Sequence, residues 1–89
     1  MIFKNFALRE AALMKLHELK AGQKARIRFI LPGSEQMDVK LRELGFSEGD
    51  EVEMVGAGPF GGRTLAVRLN RTLIALRTSE AALIEVDPT

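Results

Sequence analysis

The sequence predicts a mainly β fold: a small antiparallel barrel of about five strands, with one short helix after the first strand and a helical turn before the last. The chain has 89 residues, which is enough for one domain with one small core. From Lys24 onward, apolar residues recur at every second position, and glycine, proline or asparagine separates the alternating runs. A closed or nearly closed sheet would also leave no long strand edge to cover.

The alternation predicts strands at residues 24–31, 51–55, 64–69, 72–77 and 83–86, with residues 87–89 as a tail. The side chains expected to face the core are Ala25, Ile27, Phe29, Val52, Met54, Leu65, Val67, Leu69, Ile74 and Leu76. Asn70 and Arg71 form the predicted hairpin turn, because asparagine tolerates positive φ. Thr78 or Ser79 is expected to cap the short helical turn, which runs through Ala82.

A helix is predicted after the first strand. Ser34 is a good N-cap, and the apolar residues that follow it are spaced as on one helix face. Gly45 suits the left-handed position after the last turn, where Phe46 can pack back on Leu41. The predicted apolar face consists of Met37, Leu41 and Leu44.

Residues 1–13 are interpreted as an N-terminal extension, helical or loosely ordered, and residues 14–87 as the folded domain. Leu16 and Leu19 are expected to anchor a turn that ends at Gly22. The chain has no cysteine and no apolar run near the roughly 18–20 residues of a membrane helix. We therefore expect a cytoplasmic protein.

The charge balance argues against a nucleic-acid partner. Thirteen Lys and Arg stand against twelve Asp and Glu, a net charge of +1, and the basic residues appear scattered among acidic ones. Small barrels that bind single strands use exposed aromatic residues. The chain has no Tyr or Trp, and Phe29 falls in the inward register.

The glycine-rich segment 56–62 is the candidate binding loop. It contains the pattern G-x-G-x-x-G, which holds phosphates only where a helix follows, and here a strand is predicted instead. Pro59 and Phe60 lie near the predicted tip. Phe60 is suited to anchor a partner surface, and the alternative is that it caps the open end of the barrel.

No catalytic, cofactor-binding or metal-binding residues are predicted, so we expect neither an enzyme nor a cofactor. His17 is the only histidine, whereas metal sites need several converging ligands. Glu48, Asp50, Glu51 and Glu53 lie close to one another in the sequence, and they are interpreted as a solvated face.

Three segments resemble the FeoA family. Residues 14–27 fit the pattern M-x-L-x-x-L-x-x-G-x-x-A-x-I, residues 41–52 fit L-x-x-L-G-hydrophobic-x-x-G-x-x-V, and residues 74–86 fit I-A-L-R-x-x-E-A-x-x-I-x-V. The resemblance implies an SH3-like barrel and an accessory or regulatory role in ferrous iron uptake beside FeoB, a membrane transporter with a cytosolic G-protein domain. It supplies no catalytic or iron-binding residues.

The leading hypothesis is an adaptor that binds the cytosolic part of FeoB through Pro59, Phe60 and Arg63, with Arg63 providing a charge-assisted contact. Contact with the membrane would be indirect, through that partner, and self-association stays open. The alternative is a stand-alone SH3-like module that binds an iron-dependent repressor or another protein.

Overall fold

The computed structural model of the chain describes residues 13–58 and 63–89. The predicted extension therefore lies almost wholly outside the described residues. The elements are β1 (Met14–Lys15), a 3₁₀ turn (Leu16–Glu18), β2 (Lys24–Ile30), α1 (Glu35–Glu43), β3 (Glu51–Ala57), β4 (Thr64–Leu69), β5 (Thr72–Arg77), α2 (Thr78–Ala81) and β6 (Ile84–Pro88).

The strands form one antiparallel sheet of six strands in the order β1-β6-β2-β3-β4-β5. This confirms the mainly β class and the places of both helices, and adds the short β1, which the sequence pattern does not predict. Within the described ranges β1 and β5 do not pair, so the sheet is not closed. α2 contacts both β5 and the 3₁₀ turn, and so lies between the two ends of the sheet.

The core is filled by side chains from every strand, from the 3₁₀ turn and from both helices. Every predicted inward residue is buried except Phe29, and Leu16 and Leu19 are buried as expected. The largest fully buried side chains are Phe46, Leu16, Ile27, Leu41, Leu76 and Ile84. Burial of an apolar side chain stabilises by about 1.5–3 kcal/mol, so this cluster supplies most of the stability.

The inward prediction for Phe29 was wrong, because β2 contains a β-bulge. Ile27 pairs with Val86 on β6, but the next paired residue is Phe29, opposite Glu85, so Arg28 is the extra residue. An extra residue reverses the alternation beyond it. The side chain of Phe29 is consequently exposed (51%), while Ile30 packs against the core.

Two strands are longer than predicted. β3 continues through a second bulge, between Met54 and Gly56, and ends at Ala57. β6 includes Asp87 and Pro88, which lie opposite Arg26 and Ala25. Residues 87 and 88 are therefore part of the sheet and not a tail.

The predicted ends of α1 are confirmed. Ser34 Oγ accepts a hydrogen bond from the Met37 amide at 3.1 Å. Gly45 has φ +105°, and the Phe46 amide donates to the Leu41 carbonyl at 3.1 Å, as in a Schellman ending. The predicted apolar face is only partly buried, since Leu41 is covered and Leu44 is exposed.

The predicted hairpin turn is confirmed, with φ of 50° at Asn70 and 71° at Arg71. The cap of α2 differs from the prediction. The N-cap residue of this helix is Arg77 and not Thr78 or Ser79, and the Arg77 amide donates to the Glu80 carboxylate at 2.8 Å. In the described ranges neither helix could cross a membrane, since the longer has nine residues.

Candidate partner-binding surface

The structure fixes one end of the predicted binding loop. Pro59 and Phe60 lie outside the described residues. Arg63 is described and exposed, immediately before β4. Its carbonyl accepts a hydrogen bond from the Thr78 amide at 2.9 Å. This bond holds the Arg63 backbone beside the start of α2. The backbone from which the charged side chain extends is therefore fixed.

The base of the loop is closed by tight packing between Gly58 and Thr64. The Gly58 amide donates to the Thr64 carbonyl at 2.8 Å. A Cβ atom at Gly58 would lie 2.2 Å from Thr64 Oγ1 and 3.1 Å from the Thr64 carbonyl carbon. An alanine at position 58 would therefore force Thr64 to shift, because both its side-chain oxygen and its backbone lie close to the added Cβ atom. Thr64 Oγ1 is buried there without a hydrogen-bond partner.

Glu80 joins α2 to α1. Its side chain is 4% exposed, and Oε2 accepts a hydrogen bond from Lys40 Nζ on α1. Burial opposes ionisation of this carboxyl, but hydrogen bonds from Lys40 and from the Arg77 amide outweigh it, so the pKa of Glu80 is lowered. A buried, charged carboxylate thus joins α1 to the junction of β5 and α2.

The β4–β5 hairpin next to the loop is strongly basic. We call residues 63–77 the hairpin surface. It carries Arg63, Arg68, Arg71 and Arg77 and no Asp or Glu. Of these, Arg68 pairs with Glu53 at 3.3 Å. The basic residues are therefore not evenly interleaved with acidic ones. The sequence already indicates this, because residues 63–77 contain no Asp or Glu.

β2 carries exposed basic residues and the exposed Phe29. The predicted inward position of Phe29 therefore no longer argues against a nucleic-acid surface. Acidic residues nevertheless flank this face on both neighbouring strands. Lys24 lies opposite Glu53, Arg26 lies between Glu51 and Asp87, and Phe29 lies opposite Glu85. Such pairing leaves little net positive charge for phosphates.

Within the residues that the structure describes, no three His, Cys, Asp or Glu side chains are grouped as metal ligands. His17 lies in the 3₁₀ turn, and its Nδ1 is buried without a hydrogen-bond partner. Two of the four acidic residues interpreted as a solvated face pair with arginine. Glu48 pairs with Arg42 at 3.2 Å, and this hydrogen bond lowers the pKa of Glu48.

Solved structures share this fold. FeoA from Stenotrophomonas maltophilia, complexed with zinc and described as a prokaryotic SH3 domain protein, is 41% identical; the match covers 83% of this chain and 89% of that one, with a TM-score of 0.72. Iron(II) transport protein A from Clostridium thermocellum is 38% identical, with 85% and 46% covered and a TM-score of 0.76.

A manganese-dependent transcriptional repressor has a TM-score of 0.78 at 18% identity, and 86% of this chain matches 42% of the repressor chain. At that identity the likeness shows the fold alone. No curated protein sequence matches this chain.

The antiparallel sheet, its two short helices and the shared architecture define a small SH3-like domain. The FeoA domain pattern matches residues 14–88. The chain belongs to the FeoA family, a family linked to ferrous iron transport.

Proposed function

We propose that this protein is a cytoplasmic accessory factor of bacterial ferrous iron uptake and that it binds the cytosolic part of a FeoB transporter. The family match over residues 14–88 carries the proposal. The S. maltophilia relative, which is 41% identical, is described as a candidate activating factor of bacterial ferrous iron transport. SH3-like domains commonly act by binding other proteins, which suits a chain of this size.

The proposed contact residues are Pro59, Phe60 and Arg63. Support comes from the closed base of the loop, where the Gly58–Thr64 hydrogen bond of 2.8 Å sets the start of the loop. Arg63 is exposed, so its guanidinium is accessible to a carboxylate on a partner. An aromatic residue beside glycines can supply the apolar anchor.

The test is co-purification of the protein with the isolated cytosolic domain of FeoB from the same organism. We expect Phe60→Ala and Arg63→Ala each to weaken capture by at least about thirtyfold, which corresponds to the loss of about 2 kcal/mol expected at an interface hot spot. Arg28→Ala is the matched control, because Arg28 is also an exposed arginine but lies on β2. Unchanged capture by both loop variants contradicts the loop assignment, and no capture of the wild type contradicts the proposed partner.

We also propose that residues 14–87 suffice for this binding. A chain that begins at Met14 should be captured as well as the full chain. The repressor alternative is tested in the same assay, with an iron-dependent repressor as bait in place of the FeoB domain. Capture by the repressor and not by FeoB would replace the adaptor proposal.

A further inference from the structure

β5 is the last strand of the sheet, and in the described part of the chain no strand pairs with its outer side. We propose that this free edge of β5 is a docking site for an extended, acidic protein segment, which adds to the sheet as a further strand. The site differs from the loop 59–63 and does not depend on the identity of the proposed transporter partner.

The backbone groups that face outward from β5 follow from the hairpin geometry. Hydrogen-bonded and non-hydrogen-bonded pairs alternate along an antiparallel ladder, and a two-residue turn is closed by a hydrogen-bonded pair, here Leu69 and Thr72. The pairs Arg68–Leu73 and Ala66–Ala75 are then non-hydrogen-bonded. The amides and carbonyls of Leu73 and Ala75 therefore point away from the sheet.

Two hydrogen bonds agree with this alternation of hydrogen-bonded and non-hydrogen-bonded pairs. The Thr78 amide donates across the ladder to Arg63, as expected one position beyond a non-hydrogen-bonded pair. The Arg77 amide turns outward and donates to the Glu80 carboxylate at 2.8 Å. The outward amide of Arg77 is thus already occupied, and Leu73 and Ala75 offer the donors and acceptors that an incoming strand could use.

Three apolar side chains lie beside this edge, and two of them are small. Among the large hydrophobic residues that the structure describes, Leu73 is the most exposed, at 60%, and it shares the outer face of the sheet with Ala75. Ala66, opposite Ala75 on β4, is also small and half-buried. An added strand would lie on the side of β5 away from β4 and Arg68, which is opposite Leu73, so its side chains could cover Leu73 from that side.

Charge identifies the kind of segment that fits. The hairpin surface carries four arginines and no acid, while the whole chain has a net charge of only +1, so the remainder carries −3. Arg71 immediately precedes β5 and Arg77 is its last residue, and Arg63 lies beside Arg77 across the Arg63–Thr78 hydrogen bond. An extended segment with acidic residues about six positions apart would match both ends.

The same charges disfavour two other occupants. A second copy that paired β5 with β5 about a two-fold axis at Ile74 would place Arg71 opposite Arg77 of the other copy, and opposed like charges destabilise a sheet. Single-stranded nucleic acid would lack a stacking platform, because β4 and β5 contain no aromatic residue.

The probe is the acetylated, amidated peptide Glu-Thr-Val-Thr-Val-Thr-Glu, which places valines beside Leu73 and Ala75 and glutamates beside Arg71 and Arg77 in either strand direction. Titration into the ¹⁵N-labelled full chain should shift the amide signals of Leu73 and Ala75 most and slow their hydrogen exchange. A peptide with lysine at both ends should bind at least about tenfold more weakly at low salt.

Two variants test the backbone and the charges separately. Ala75→Pro removes a donor that points out of the sheet, so it should weaken peptide binding about tenfold, equivalent to one or two net hydrogen bonds, while the fold survives. Arg71→Asn with Arg77→Gln removes both end charges, and asparagine suits the positive φ of position 71. This variant should lose the preference for the acidic peptide. Arg28→Gln, on β2, is the matched control and should bind like the wild type.

Any one of the following outcomes would overturn the inference. These are peptide shifts centred away from β5, wild-type binding by folded Ala75→Pro or by the double variant, preferential binding of an oligothymidylate, and a wild-type dimer that Ala75→Pro dissociates. The last outcome would assign the edge to a second copy. Protection of the Leu73 and Ala75 amides in the free monomer that is lost on deletion of residues 1–12 would assign it to the chain's own N-terminal segment.

Discussion

Lys40 on α1 donates a hydrogen bond to Glu80 on α2, and this ion pair joins two helices whose residues are 40 positions apart in sequence. The Glu80 side chain is 4% exposed and that of Lys40 is 52% exposed. The second oxygen of Glu80 accepts from the Arg77 amide, so the buried charge is compensated from two sides. The pair therefore fixes α1 against the end of β5.

Replacing Glu80 should destabilise the protein. Glu80→Gln keeps the shape of the side chain but removes the negative charge that pairs with Lys40. We expect the free energy of unfolding to fall by only about 1–2 kcal/mol, because Lys40 is half exposed to solvent. Urea unfolding followed by circular dichroism measures it. Glu43→Gln, an exposed position at the end of α1, is the control and should change stability by less than about 0.5 kcal/mol. Equal effects of the two variants would show that the ion pair contributes nothing.

The Lys40–Glu80 ion pair also makes the stability of the protein depend on pH. Burial opposes ionisation of Glu80, but the bonds from Lys40 and the Arg77 amide together leave its pKa below the ordinary value of 4.5. A lowered pKa in the folded state contributes stability above the ordinary value, and this contribution disappears as the pH falls through the folded pKa. The stability difference between wild type and Glu80→Gln should therefore be full near pH 7 and shrink below about pH 4.5.

Unfolding midpoints measured from pH 7 to pH 2 check this sign. Glu48 also has a lowered pKa, through its hydrogen bond to Arg42, but that pair is exposed. Glu48→Gln should thus follow the wild-type pH profile closely and serves as the control. A difference for Glu80→Gln that grows in acid would contradict the direction of the Glu80 shift.

Gly58 and Thr64 should behave as a coupled pair. Gly58→Ala places a Cβ atom 2.2 Å from Thr64 Oγ1, so we expect a loss of about 1–3 kcal/mol from overpacking. Thr64→Ala alone should cost little, because its buried Oγ1 has no hydrogen-bond partner to lose. In the Thr64→Ala background the cost of Gly58→Ala should fall, but not to zero, because the Thr64 backbone carbon also lies within 3.1 Å.

A double-mutant cycle by chemical denaturation measures this coupling. Strictly additive costs would mean that the hydroxyl of Thr64 is not the atom that position 58 must avoid. The result bears on function too, since this contact closes the base of the proposed binding loop.

The local features of the fold could be predicted because each is determined by a few neighbouring residues. Ser34 at the start of α1 and Gly45 at its end are residue types that cap helices in most contexts. Alternation along β4 and β5 gave the buried faces because neither strand contains a bulge. The family resemblance then supplied the SH3-like class, which no single local pattern contains.

Features that depend on distant pairing could not be predicted in this way. β1 has two residues and is a strand only because it pairs with β6. The position of β5 at the edge of the described sheet depends on the order of all six strands, and no residue of β5 encodes that order. The candidate loop could be found from its glycines, but the hydrogen bond between Arg63 and Thr78 required the structure.

The bulge at Arg28 gives the last prediction. Ile27 is fully buried, whereas Phe29 is 51% exposed because the extra residue turns it outward. Ile27→Ala should therefore cost about 2–5 kcal/mol, and Phe29→Ala less than about 1 kcal/mol although it removes a larger side chain. Ile30→Ala should cost more than Phe29→Ala, because Ile30 packs on the core. Urea unfolding of the three variants decides the register: if Phe29→Ala is as costly as Ile27→Ala, the strand keeps simple alternation and the bulge is absent.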